Sequence, residues 1–405
     1  MTTAVGARPG LRRLGVLRGS DFRLLFVANL TSGTGNWLAL VALQVDVYDR
    51  THSGWWVSAL LVANLVPSIA LGLLLGPIVD RLSRKALMVG ADLGRLAVFC
   101  ALPFARDATV IVLLALAAGV GNAVFRPAVI AGTPNLVDEH ELADANALLQ
   151  LVEWSTTAIG PVVGGALVAA SGPHLAYWLN AATFAVSALL VGAISSRRLQ
   201  RSRAEGHGHW TDLRAGFRAV VRSPPLATVL VAWSVFQVAL GLVNVAEIFL
   251  ARRTLHGGAL GFALMWTASG IGQTIGGLNA QRVGERFGSR AVYPRALLLS
   301  ALGVAMAASA PDIWVAIAAM LVSGLGNGVA VVANITLVQR GTTDELRGRV
   351  LTAIMSANAL VLLAAFVAAG PLTNRYGGRV AFAIGAAALV AAAGAAAALL
   401  RRERA

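Results

Sequence analysis

Apolar runs of about 20 residues recur from residue 24 to residue 400, separated by short polar stretches that carry most of the charge. Each run is long enough to cross a hydrocarbon layer about 30 Å thick. Inside such a layer every backbone N–H and C=O must find its partner within the protein, which leaves helices or a closed barrel. The runs do not alternate apolar and polar positions as barrel strands do, so they predict helices. Twelve spans follow, near 24–45, 56–79, 86–104, 108–127, 147–170, 175–195, 226–250, 259–280, 293–310, 313–337, 350–371 and 379–400. The predicted class is an all-α membrane protein of twelve transmembrane helices. Composition agrees: 57% of the 405 residues are hydrophobic and 13% are charged, whereas soluble domains carry about 25% charged residues.

The second half of the pattern repeats the first. At a shift of 205 residues, Gly119-Val120-Gly121-Asn122 returns as Gly324-Leu325-Gly326-Asn327, and His174-Leu175-Ala176-Tyr177 as Arg379-Val380-Ala381-Phe382. Asp80-Arg81 and Lys85 match Glu285-Arg286 and Arg290 at the same shift. Arg50-Thr51 and Gly54 match Arg253-Thr254 and Gly257 at 203, and Gly160-Pro161 matches Gly370-Pro371 at 210. Six helices cross an even number of times, so both copies face the same way, the parallel arrangement of two halves around a midplane site. The expected division is a six-helix bundle over 1–195, a cytoplasmic linker over 196–224 and a second six-helix bundle over 225–405. The linker carries Gly206-His207-Gly208-His209, read as a solvated connection rather than a metal site.

The net charge of +14 is distributed as topology requires, not as nucleic-acid binding would. With the N-terminus inside, the inner segments hold Arg8, Arg12, Arg13, Arg18 and Arg23, then Arg81, Arg84 and Lys85, then Arg197, Arg198, Arg201, Arg203, Arg214, Arg218 and Arg222. Arg282, Arg286 and Arg290, then Arg340, Arg347 and Arg349, then Arg401, Arg402 and Arg404 continue the series. The outer loops hold only Arg50, Arg106, Arg252, Arg253, Arg375 and Arg379. That asymmetry places both termini in the cytoplasm. The Arg-bearing stretch 1–21 has no small-residue cleavage site and reads as no removed signal peptide. Membrane lipids are expected partners of the basic residues, and nucleic acid is not.

Two single residues exclude whole chemistries. Cys100 is the only cysteine, so no disulfide framework or cysteine-rich metal site exists. Lys85 is the only lysine and follows Arg84, so no phosphate-binding Gly-Lys-Ser/Thr loop exists. No cofactor or metal is expected. The six histidines all sit in or beside loops. His140 with Asp144 lacks a neighbouring nucleophile or oxyanion site, so an enzyme is not the reading.

The loop after the second span, Gly76-Pro77-Ile78-Val79-Asp80-Arg81-Leu82-Ser83-Arg84-Lys85, resembles the signature loop of the major facilitator superfamily. Asp21-Phe22-Arg23, Pro67, Asp92 with Arg95, Leu142-Ala143-Asp144-Ala145-Asn146-Ala147 and Arg347-Gly348-Arg349-Val350 resemble the branch of enterobactin exporters and macrolide-efflux proteins. The resemblance implies a gating role for Gly76, Asp80, Arg81, Arg84 and Lys85. Ser83 stands where many members carry glycine, and Gln281 stands where the repeat would place a second Gly76. Gly160-Pro161-Val162-Val163-Gly164-Gly165 in the fifth span is similar to the core of the drug–proton antiporter motif, with Thr156 where that motif has a further glycine.

A charge at the centre of a span costs at least about 2.5 kcal/mol, so each intramembrane charge carries information. Asp92 and Arg95 share one helix face and are read as a structural ion pair. Glu153 and Glu247 are each either a proton carrier or a packed neutral side chain, and neither has an evident permanent counter-ion in the sequence. Asn244 lies one turn from Glu247, and Asn29, Asn36 and Gln237 could line a cavity. Asp46 near the outer end of the first span reads as interfacial, with a coupling role next in line. The expectation is a monomeric secondary transporter that exports a small amphipathic compound, drug or siderophore-like, in exchange for protons; an uptake carrier on the same fold is the alternative. For the topology, Ser202→Cys in a Cys100→Ala background is expected to stay unlabelled when an impermeant thiol reagent is added to intact cells. Ready labelling would reverse the orientation.

Overall fold

The computed structural model describes residues 15–74, 82–199 and 209–402. Long helices fill nearly all of it: α1 (Ser20–Thr51), α2 (Gly54–Leu74), α3 (Arg84–Ala101), α4 (Ala108–Gly132), α5 (Leu142–Ser171), α6 (Pro173–Ala193), α7 (His209–Arg222), α8 (Pro224–Phe249), α9 (Gly258–Phe287), α10 (Ser289–Ser309), α11 (Ile313–Arg340) and α12 (Asp344–Arg402). No strand occurs among the described residues. Ten of these helical stretches are long and apolar enough to cross a membrane. α7 is not among them, and neither is α9, whose apolar stretch is diluted by Gly261, Gly270, Gly272, Gln273, Gly276 and Gly277. α12 counts once although Gly377 (φ 81, ψ 172) interrupts its helical backbone. With α9 added and α12 taken as two segments, the count is consistent with the twelve expected.

The ends differ from the sequence reading for local reasons. α1 runs beyond 24–45 at both ends: Gly19 O accepts the Arg23 N–H at 3.0 Å at its start, and Tyr48 O accepts the N–H of left-handed His52 after Thr51. The end expected at 79 falls outside the described residues. Asp107 caps α4 by accepting the Val110 N–H at 3.0 Å. Asp312, 205 residues later, caps α11 by accepting from Trp314 and Val315 at 2.9 and 3.0 Å. Gly288 (φ 77, ψ 133) supplies the turn between α9 and α10.

α1 packs on α5 and α6, α2 on α4, and α3 on α4 and α6; later in the chain α8 packs on α12, α9 on α11, and α10 on α11 and α12. The two sets meet chiefly where α5 lies on α9 and α2 on α12. In hydrocarbon, helices associate through close packing rather than exclusion of water, so small residues mark the contacts. A Cβ on Gly119 would stand 3.0 Å from Ala63 O of α2, and one on Gly121 would stand 3.1 Å from Ala91 O of α3. Their repeats do the same: Gly324 faces Gln273 N of α9 at 3.0 Å and Gly326 faces Ala296 O of α10 at 2.6 Å. Outward faces keep large apolar side chains such as Leu113, Leu189, Leu302 and Val390.

The stretch read as a solvated linker is in part a docked helix. α7 is amphipathic: Val220 and Leu213 are buried while Val221 is exposed. Gly216 brings it against Arg349 and Ala353 of α12. His207 lies outside the described residues. The packing generates a paired test. Gly326→Leu should lower the unfolding midpoint in detergent by an amount equivalent to about 1–3 kcal/mol or more, since no side chain fits there. Gly284→Ala, with nothing within 4 Å of the added carbon, should raise it slightly, by about 0.5–1 kcal/mol.

Candidate functional site

Two cavities meet at one tryptophan. The first, about 300 Å³, lies among α1 to α5 and is polar: Asn29, Asn36, Asn64, Asn122, Ser32 and Ser68 face it, with Arg95, Arg126 and Glu153. The second, about 260 Å³, lies between α1 and α5 on one side and α8 to α12 on the other. Its wall is largely apolar, with Phe236, Leu240, Val243 and Met320, and its polar groups include Asn244, Glu247, Gln273 and Asn327. Trp37 lines both cavities. Its ring centre stands 5.6 Å from that of Trp266 across the second one.

α3 presents Asp92 and Arg95 on its buried face. They form an ion pair with both side chains essentially inaccessible. Arg95 also donates to Asn122 Oδ1 at 2.6 Å, and its guanidinium carbon stands 4.3 and 4.7 Å from the ring centres of Phe184 and Phe125. Carboxylate, amide and two aromatic faces thus hold a guanidinium against the cavity wall.

Glu153 is not without a cation. Its carboxylate lies 3.6 Å from Arg126 of α4, with both side chains substantially exposed, which corrects the reading of an unaccompanied glutamate. The sequence pairing failed because Arg126 and Glu153 lie on different helices, α4 and α5, 27 residues apart. Glu247 is the opposite case: it is 2% exposed, and its Oε1 has no hydrogen-bond partner among the described residues. Asn244 faces the same cavity, but among the described residues no hydrogen bond joins the two.

Asp46 is buried rather than interfacial. It accepts from Arg50 Nε at 2.6 Å and from Tyr177 Oη at 2.9 Å, so it braces α1 against α6 and faces neither cavity. Gly76, Asp80 and Arg81 lie outside the described residues. Arg84 donates to Leu199 O at 3.0 Å and Lys85 to Ile194 O at 2.8 Å, which ties the start of α3 to the chain after α6.

The glycines of α5 make room for other helices. A Cβ on Gly160 would meet Trp37 Cβ at 2.5 Å, and one on Gly164 would meet Leu38 O at 2.6 Å. Pro161 sits within α5 between them. A Cβ on Gly165 would stand 3.2 Å from Ala259 O of α9. Its counterpart 205 residues on is Gly370, where a Cβ would stand 2.9 Å from Gly54 O of α2, so the structural mate of Gly370 is Gly165 and not Gly160. Both contacts sit at one end of the molecule. There Gly54 N–H donates to Asn374 Oδ1 at 2.5 Å, Ser58 Oγ to Phe366 O at 2.6 Å, and Arg252 pairs with Asp49 at 2.5 Å. The sequence reading missed this closure and the Trp37–Trp266 pair. The Asp49-Arg50 and Arg252-Arg253 dipeptides, 203 residues apart, were the available signal. Among the described residues no cluster of three or more His, Cys, Asp or Glu could hold a metal ion.

Residues 13–403 match the profile of a family described as transmembrane secretion effector. The chain is 30% identical over 386 residues to the multidrug efflux pump Tap of Mycolicibacterium fortuitum, covering 89% of this chain and 90% of that one. It is 27% identical over 341 residues to the enterobactin exporter EntS of Salmonella typhi, covering 81% and 80%. The crystal structure of the nucleoside transporter NupG superposes with a TM-score of 0.77 at 15% identity, covering 95% of this chain and 98% of that one; this likeness concerns the fold. The geometry of α3 generates its own test. Asp92→Ala leaves the Arg95 guanidinium buried without its carboxylate and should cost about 3–5 kcal/mol. Asp92→Ala/Arg95→Met should recover most of that, read from unfolding midpoints in detergent. A double variant no more stable than the single one would mean that the pair is not the element removed.

Proposed function

We propose, from the premise that this chain belongs to the transmembrane secretion effector family of major facilitator transporters, that it exports small amphipathic compounds across the cytoplasmic membrane in exchange for protons. The relatives named above are a multidrug efflux pump and an enterobactin exporter, which supports outward transport. The observation that carries the reading is the pair of cavities sharing Trp37. A cargo with a hydrogen-bonding end and an apolar aromatic body meets a polar compartment on one side of that ring and an apolar one on the other.

On this reading 1–195 and 225–405 are the two six-helix bundles, and 196–224, including α7, is the cytoplasmic connection. With both termini cytoplasmic, the end closed by Asp49–Arg252 and Gly54–Asn374 is the outer one, and the first cavity, with exposed Arg126 and Glu153, communicates with the cytoplasm. Gly76, Asp80, Arg81, Arg84 and Lys85 form the gating loop. Gly160, Pro161, Gly164 and Gly165 give α5 the shape on which α1 and α9 move. Asp92–Arg95 is a fixed pair, and Asn29, Asn36 and Asn244 are polar contacts for cargo.

Glu247 is the coupling residue of this proposal. A carboxylate does not persist uncompensated in a low-dielectric interior, and among the described residues Glu247 has neither an ion pair nor a hydrogen bond at Oε1. It must therefore be protonated or meet a hydrated or cationic partner, and alternation between those conditions couples proton movement to cargo. Glu153 already has Arg126 and is the lesser candidate; Asp46, tied to Arg50 and Tyr177, is the least. Glu247→Gln should abolish accumulation of a fluorescent cargo such as ethidium in proteoliposomes with an imposed pH gradient, while downhill exchange survives. Glu153→Gln should cost severalfold at most. Unaltered gradient dependence in Glu247→Gln would move coupling elsewhere, and accumulation in the opposite sense in everted vesicles would favour the uptake reading.

A further inference from the structure

The crevice beside the Gly288 turn belongs to neither cavity. It measures about 430 Å³ and is lined by Val283, Phe287, Val292, Ala296, Leu299 and Val329, with Arg295 as its polar member. Val292 and Ala296 form a buried floor, while Phe287, Leu298, Leu299 and Leu302 are exposed around it. In a membrane-spanning chain, such a surface on α10 meets lipid tails rather than water. Arg295 emerges from it more than one turn after the helix begins at Ser289. A guanidinium placed there lays its stem along apolar surface and carries its charge toward the headgroups.

A second guanidinium converges on the same point. The guanidinium carbons of Arg286 and Arg295 stand 5.4 and 5.7 Å from the centre of the Phe287 ring. Neither arginine forms an ion pair among the described residues. Glu285, the adjacent carboxylate, is instead held by Gln281 Nε2 at 3.0 Å. The two distances place the guanidinium carbons within about 11 Å of each other, and two like charges at that range repel, more so where lipid lowers the local dielectric. An anion between them relieves it.

We propose that this crevice is a binding site for an anionic phospholipid, with its phosphate between Arg286 and Arg295 and one acyl chain in the slot between Phe287, Leu299 and Val329. The lining decides for a lipid over a soluble anion. Six of its seven residues are apolar and gain only from a ligand that brings hydrocarbon. The charge decides for an anionic headgroup over a zwitterionic one, since two guanidiniums flank the slot while the nearby carboxylate, Glu285, is engaged by Gln281. Gly288 and the two helix ends fix the spacing of the arginines, so the site differs from a diffuse basic surface.

The test uses the full chain, purified in detergent, with lipid binding followed by native mass spectrometry during titration with dioleoylphosphatidylglycerol. Wild-type protein should hold one such lipid well above the rest. Arg295→Gln and Arg286→Gln should each weaken that binding about tenfold, the scale of one charge-assisted hydrogen bond. Leu299→Trp keeps both charges but fills the slot and should weaken it similarly. Dioleoylphosphatidylcholine and glycerol 3-phosphate should not compete. Equal affinity in wild type and Arg295→Gln would overturn the site. So would an equal loss in Arg222→Gln, which lies on α7, since the attraction would then be diffuse. Competition by glycerol 3-phosphate would reduce it to a free-anion site. None of these readouts depends on transport, so they stand or fall apart from the export proposal.

Discussion

Backbone approaching backbone, at positions where a side chain is missing, is the interaction on which the rest of this molecule depends. Helices in hydrocarbon gain nothing by hiding apolar surface from lipid, so dispersion between closely fitted surfaces must hold them together. Here the fit is made by glycine. Gly165 over Ala259 and Gly370 over Gly54 hold the early helices to the late ones at one end, and Gly270 against Thr157 continues the contact of α9 with α5 to the edge of the second cavity. Away from those points the helices carry Trp37, Trp266, Phe236 and Met320 between them, and the second cavity opens where these larger residues hold them apart. The location of the site is thus a consequence of where the chain lacks side chains.

The repeat builds its scaffold twice and its chemistry once. Gly119 and Gly121 pack as Gly324 and Gly326 do, and Asp107 caps as Asp312 does. But 205 residues after Asp92 and Arg95 stand Leu297 and Ser300, and there Ser300 and Ser323 share a hydroxyl hydrogen bond at 3.2 Å. A buried ion pair repays its desolvation only with good geometry and further hydrogen bonds, and Arg95 has both in Asn122 and the flanking rings. The asymmetry runs the other way at 203: Glu247 corresponds to Gln44, a buried amide that carries no charge in any protonation state. One half of the chain therefore holds a charge locked in place, and the other holds a carboxyl with nothing to lock it.

The spans were legible because hydropathy is a local property and lipid demands it without exception. Their ends were not, because ends depend on single contacts. The α1 terminus depends on one N–H of His52, and the helical break in α12 depends on the φ of Gly377. The helix α7 within the linker was not legible because a 14-residue amphipathic helix surrounded by arginines has the composition of a linker; its seat on α12 is a tertiary contact. The site was legible residue by residue but not in its pairings. Asn29, Asn36, Glu153, Asn244 and Glu247 do face cavities, whereas Arg126 beside Glu153, Tyr177 on Asp46 and Asn374 on Gly54 join positions 27, 131 and 320 residues apart. No periodicity within one helix encodes such partners.

On the proposed transport reading, the closed end would have to open, and its contacts are small enough to allow it. Its ion pair, Asp49–Arg252, keeps 46% and 23% of its side chains exposed, and such pairs contribute about 0–1 kcal/mol. The hydrogen bonds from Gly54 and Ser58 add about 1 kcal/mol each at most once water can replace them. A closure assembled from contacts of this size leaves open and closed states separated by a few kcal/mol, within reach of differential binding of a cargo or a proton. The route between binding and closure is short. Glu247 sits in the last turn of α8, and the π-helical turn Leu250–Thr254 that follows carries Arg252. Leu250 N–H donates to both Ala246 O and Glu247 O, so the backbone is already shared between two hydrogen-bonding registers there. π-turns of this kind are frequent at functional sites. A rearrangement around the Glu247 carboxyl therefore needs to travel about one turn of helix to shift the guanidinium that holds Asp49.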